Sequence, residues 1–230
     1  METEINNNPG IQNSRRAFLQ YAGAGAAAMA LLAAGCKKEL AVAPKKTSTG
    51  IDIGSGDLAI LNYAYALEQL ESAFYLTALA KPYSGITATE KQWLSEICLH
   101  EAIHKQFLQA ALGANAIPAL TVDFSAIDFT SRASVLGAAK AFEDTGVAAY
   151  DGAGYLIQSP DYLTIAGKIV SVEARHAAYI RNLIKPGDYA GSDVIDANGL
   201  NNSLTIAQVL AIANTFLKTK VSASHYNYTA

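Results

Sequence analysis

Glu101-Ala102-Ile103-His104 and Glu173-Ala174-Arg175-His176 repeat one pattern, Glu-x-x-His, and a second repeated pattern precedes each of them. Glu68, with Tyr75 seven residues on, lies upstream of the first; Glu143, with Tyr150 seven residues on, lies upstream of the second. The order along the chain is therefore Glu…Tyr, Glu-x-x-His, Glu…Tyr, Glu-x-x-His. Residues three apart on a helix share a face, so each carboxylate and its imidazole point the same way. Four carboxylates and two imidazoles presented by four helices could hold a pair of metal ions between them.

The segments carrying these residues read as helices. Residues 57 to about 80 are rich in apolar side chains, without Pro or internal Gly, and place Tyr63, Leu67, Leu70 and Phe74 at helical spacing. Lys81-Pro82-Tyr83-Ser84-Gly85 interrupts them. Thr89 and Glu90 open a second helix, which Gly113 stops after Leu112. Residues 114–130 hold Pro118, Asp123 and Asp128 and read as a long connection with room for a short extended piece. Ser131 caps a third helix running to about Gln158, and Ser159-Pro160-Asp161 links it to a fourth that ends near Ile184. A polar loop to Asn202, a shorter amphipathic helix over about 204–218 and an unassigned tail (221–230) follow. The expectation is all-α: a four-helix bundle over 56–220 with one long helix 2–helix 3 connection and a short additional C-terminal helix.

Ligands on different helices meet only at a common height. Glu68 is about twelve residues before the end of its helix and Glu101 about eleven into the next, so at ~1.5 Å per residue both stand roughly 17 Å from the turn. Glu143 and Glu173 stand about fifteen and twelve residues from theirs, equal within roughly one helical turn, ~5 Å. This arithmetic leaves open whether the bundle runs simply up and down or through a crossover. Two divalent ions carry four positive charges, which four carboxylates balance. Without metal, four buried carboxylates repel and some must take up protons. Oxygen-rich ligands with one nitrogen per ion suit iron or manganese better than structural zinc. Tyr75 and Tyr150, two turns past their glutamates, can lend a hydroxyl to a metal-bound carboxylate or to an oxidant.

The strings Leu67-Glu68-Gln69-Leu70-Glu71-Ser72-Ala73-Phe74-Tyr75, His100-Glu101-Ala102-Ile103-His104, Phe142-Glu143 through Tyr150, and Val172-Glu173-Ala174-Arg175-His176 resemble the ferritin-like superfamily. The branch they are most similar to is the exported ferritin-like proteins related to desiccation-response proteins. The resemblance implies Glu68, Glu101, His104, Glu143, Glu173 and His176 as ligands of two iron ions, or alternatively manganese. It implies chemistry on Fe(II), dioxygen or peroxide, of ferroxidase or oxidative-stress type. Alternatives are a non-catalytic stress bundle that acts by binding partners, a manganese catalase-like enzyme, and a zinc protease using His100-Glu101-x-x-His104. Glu71 rivals Glu68 one turn away, and Asp144 adjoins Glu143. Gly146 reads as close packing or as room beside the metals for a small oxidant.

The N-terminal residues speak to destination rather than fold. Ser14-Arg15-Arg16-Ala17-Phe18-Leu19 has the form of a twin-arginine export signal, and residues 21–35 form a short apolar run too mild for a stable membrane span. Leu32-Ala33-Ala34-Gly35-Cys36 resembles a lipobox, so Cys36 is expected to carry the lipid after residues 1–35 are removed. Residues 36–55 then form a flexible tether. The expected product is periplasmic or cell-envelope, lipid-anchored to a membrane, with metal ions and small oxidants as its partners. Twin-arginine export moves folded proteins, which suits a site loaded before export. Only Cys36 and Cys98 are present, so there is no disulfide framework. The net charge of −3, with no basic block, argues against nucleic acid.

Overall fold

The structure is a computed structural model that describes residues 50–230. The export signal and Cys36 lie outside the described residues. Four long helices dominate: α1 (Gly56–Ala80), α2 (Ala88–Leu112), α3 (Arg132–Ala153) and α4 (Pro160–Ile184), followed by the short α5 (Ile206–Ala213). Each is started by a hydroxyl residue or a fixed turn. Thr87 and Glu90 form a capping box at α2, Ser131 and Ser159 cap α3 and α4, and Thr205 with Gln208 forms a second box at α5. The cap of α2 is thus Thr87, two residues before the Thr89 expected to open it, because only Thr87 has Glu three places on to return the bond. Helix α3 ends at Ala153, not Gln158, and passes into a single 3-10 turn at Gly154–Leu156. The C-terminal helix is likewise shorter than 204–218, closing with a 3-10 turn at Asn214–Phe216.

Hydrogen bonds between helix ends fix the direction of every helix. Arg132, at the start of α3, pairs with Glu90 at the start of α2 (2.6 Å) and donates to the carbonyl of Leu183 at the end of α4. At the opposite end, the amides of Gln158 and Ser159 donate to Asp57 at the start of α1. The connection after α2 climbs along α1: Asn62 binds Asn115 and Ile117, Gln69 binds Leu120, and Phe74 packs on Phe124 and Phe129. Helices α2 and α3 therefore run the same way, opposite to α1 and α4, and residues 116–131 form a full-length crossover. This is the single-crossover bundle described for ferritin-like folds.

Helix α1 is buried nearly all round, because α2, α3, the crossover and α5 surround it. An aromatic cluster of Phe74, Phe124, Phe129, Phe142 and Phe216 fastens the crossover and the C-terminal segment to α1 and α3; Phe142 and Phe216 lie 4.8 Å apart, edge to face. Arg181, 1% exposed, holds the 185–204 loop through ion pairs with Asp144, Asp188 and Asp193.

Two short extended segments, β1 (Ile51–Asp52) and β2 (Val221–Ser222), pair in parallel, and Val122 bridges to Leu217. Residues 51–52 were expected in the tether and 221–222 in the tail; both belong to the fold, with Val221 and Ala223 fully buried. Two residues are too few to show a period, so no sequence pattern marked them.

Candidate metal centre

The four long helices bring the six expected residues to one level near the middle of the bundle. Glu68 comes from α1, Glu101 and His104 from α2, Glu143 from α3, and Glu173 and His176 from α4. All four glutamates have no exposed surface, and His176 is 5% exposed. Their atoms form two overlapping groups, Glu68–Glu101–His104–Glu173 and Glu101–Glu143–Glu173–His176, each with ligand atoms within 4.8 Å of one another. Glu101 and Glu173 belong to both, one oxygen facing each imidazole. Glu173 Oε1 is 2.8 Å from His104 Nδ1 and Oε2 is 3.5 Å from His176 Nδ1. Glu101 Oε1 is 2.8 Å from His176 Nδ1 and Oε2 is 3.7 Å from His104 Nδ1.

The state of these atoms tests whether metal fits. Both oxygens of Glu101 and Glu173, Oε2 of Glu68 and Glu143, and Nδ1 of both histidines are buried without a hydrogen-bond partner of acceptable geometry. They approach one another closely, as near as 2.8 Å between imidazole and carboxylate, and all of them face the space between the four helices. Unpartnered buried polar groups are each costly, so eight facing one centre need a common partner. Metal cations would supply it, and a donor set of carboxylates with one imidazole in each group is of the kind that divalent ions take.

The remaining carboxylate oxygens are held from behind, across the bundle. Tyr75 of α1 donates to Glu143 Oε1 (2.5 Å), and Tyr150 of α3 donates to Glu68 Oε1 (2.7 Å). Each tyrosine serves the glutamate of the other hairpin. Because α1 and α3 run antiparallel, the exchange is reciprocal: the tyrosine two turns past the glutamate on each helix reaches across to the glutamate of the other. Burial, then the adjacent Glu143 or Glu68, pushes both phenols well above their usual range, so both remain donors. His100 Nδ1 lies 2.9 Å from His176 Nε2, with the rings stacked. That contact leaves Nδ1 of His176 as the nitrogen facing the glutamates, an orienting role. His100 belongs to neither ligand group, so the zinc-protease arrangement lacks its first histidine.

Protons show what the site does without cations. Burial disfavours charge on His104 and His176, but the surrounding carboxylates outweigh it and push both up to about 12. Burial would raise Glu101; the two imidazoles overcome it and hold the carboxyl at about 2. Glu143 is raised to about 8, first by burial, with Glu101 and Glu173 adding to it against His176. Burial and neighbouring charge likewise raise Glu68 well above the usual carboxylate range.

Glu71 is 4% exposed, not solvated. Burial and the four ligand carboxylates raise it well above its ordinary value. Its Oε1 lies 3.0 Å from where a Cβ on Gly146 would stand, so the room at Gly146 is taken by Glu71 rather than left for an oxidant. The sequence carried a signal for this pairing: Glu71 and Gly146 are each three residues past a ligand glutamate. Asp144 points away from the site to Arg181.

The sequence profile of the ferritin-like domain matches residues 56–186, the span of the four long helices. No curated protein matches the chain.

Proposed function

The chain belongs to the ferritin-like domain family, and from that premise we propose that it binds two divalent metal ions, iron by preference, and acts on Fe(II), dioxygen or peroxide as a ferroxidase or oxidative-stress protein. The observation carrying this reading is the set of eight buried, unpartnered donor atoms converging from four helices. Glu68, Glu101, His104 and Glu173 would hold one ion, and Glu101, Glu143, Glu173 and His176 the other, with Glu101 and Glu173 shared. When bound, the pair supplies two electrons for reduction of a small oxidant. The glutamates neutralise the four positive charges of the reduced pair. Tyr75 and Tyr150 fix one oxygen of Glu143 and Glu68 and leave the other free to face an ion. His100 keeps the donor nitrogen of His176 directed inward. The surrounding apolar core excludes bulk water and strengthens each of these interactions.

We place this chemistry outside the cytoplasm, on a lipid anchor at Cys36, on the strength of the twin-arginine and lipobox patterns alone. Anaerobic protein loaded with Fe(II) should consume dioxygen in fixed proportion to iron, and Glu101→Ala, which removes a shared ligand, should abolish this. No stoichiometric oxidation, or no loss in the variant, overturns the reading. Release of dioxygen from peroxide by manganese-loaded protein would identify the catalase-like alternative instead.

A further inference from the structure

One turn from the ligand layer, on the side of the α1 N-terminus, the four helices leave a cavity of about 40 Å³ whose walls are almost wholly apolar. Ala64, Leu108 and Ile169 line it, each four residues from a ligand (Glu68, His104 and Glu173), together with Leu67, Ala153 and Tyr150. Four residues on a helix is ~6 Å, so the cavity abuts the site. Tyr150 joins the two directly, since it lines the cavity and its hydroxyl holds Glu68. The volume decides what fits. An engineered cavity of about 150 Å³ holds benzene, so one under a third that size excludes rings and acyl chains but admits a diatomic molecule or a xenon atom.

Polarity decides the rest. A buried water needs two to four polar partners. The walls offer almost no polar surface, and of the tyrosines among them Tyr150 has its hydroxyl already committed to Glu68. Walls so nearly apolar hold water poorly and suit a small apolar molecule. We propose that this cavity is a binding chamber for dioxygen, concentrating it from solvent beside the metal pair. The proposal rests on the function proposed above and adds where the oxidant waits and which residues shape its access.

Xenon, similarly small and apolar, is the probe. Crystals of the full, metal-loaded protein under xenon pressure should show one xenon atom against Ala64, Leu108 and Ala153. Ala153→Leu fills the space; it should lose the xenon, keep its metal content, and raise KM for dioxygen roughly tenfold with kcat changed less than about twofold. Leu108→Ala enlarges the space and should raise xenon occupancy, which decides the matter should Ala153→Leu not fold. No xenon in the parent, unchanged occupancy in Leu108→Ala, or an unchanged KM in folded Ala153→Leu overturns the chamber and leaves the proposed function standing. Bound xenon without any Fe(II)-dependent dioxygen uptake overturns the proposed function, and the dioxygen assignment with it.

Discussion

At the residue scale, the site is defined as much by the groups behind the ligands as by the ligands. Tyr75→Phe and Tyr150→Phe each delete one hydroxyl from a buried carboxylate, and His100→Phe frees the far nitrogen of His176. Each change should weaken Co(II) or Fe(II) binding by about 10–100-fold while the apo fold persists, as read by metal titration and circular dichroism. Proton linkage gives a second test. Glu143 rises from 4.5 to about 8 on folding, and the two histidines from 6.5 to about 12, so their protonated forms are favoured in the folded, metal-free protein. Their contribution to stability is complete below the unfolded values and is lost as pH rises toward the folded ones. Glu101, lowered to about 2, works the other way, but only below pH 4.5. Metal-free protein should therefore lose thermal stability as pH climbs above 4.5, while metal affinity rises over the same range because binding displaces protons. A metal-free melting temperature that rises between pH 5 and 8 would contradict this account. Of these groups, the six residues that cluster between the helices were legible from the Glu-x-x-His and Glu…Tyr spacing. Which glutamate each tyrosine serves was not, because that depends on the relative direction of two helices.

At the scale of elements, small residues on α3 report what packs against it. A Cβ on Gly152 would lie 1.9 Å from the carbonyl oxygen of Leu204, whose amide also donates to Ala148. Gly152 thus admits the loop leading into α5, not a neighbouring helix. Gly152→Ala should destabilise the protein by on the order of 1–3 kcal/mol, despite the higher helix propensity of Ala. At this chain length, that lowers the melting temperature by roughly 2–4 °C per kcal/mol. Gly146→Ala should be far milder, because the group in its way is the end of the flexible Glu71 side chain, 3.0 Å off. Equal melting temperatures for the two variants would show that the Leu204 contact is not made in solution. The helices themselves were readable from apolar spacing and breakers. Their exact ends shifted by a few residues because caps depend on particular reciprocal bonds, such as Thr87 with Glu90.

For the whole molecule, metal bound as proposed would stabilise the fold. The ligands come from four helices far apart in the chain, so an ion bound by them favours only the folded state. Saturating divalent metal at a hundred times its Kd should add about 2.7 kcal/mol per independent site. Glu173→Ala, which removes a ligand common to both groups, should lose most of that increment. A calorimetric scan with and without Co(II) measures both, and an unchanged increment in the variant would argue against a shared pair.

The sequence by itself determined an all-α chain of four long helices and which glutamates and histidines gather at its centre. Helical period, capping residues and the Glu-x-x-His spacing are local properties, set by how one helix turns. It did not determine the path between the hairpins, since ligands near mid-helix stand at the same height whichever way a helix runs. The tertiary structure decided that through contacts between residues far apart in sequence: Arg132 with Glu90 at one end of the bundle, Gln158 with Asp57 at the other, and the crossover laid along α1. The same long-range packing crossed the tyrosines between hairpins, buried Glu71 opposite Gly146 and left the apolar cavity beside Tyr150.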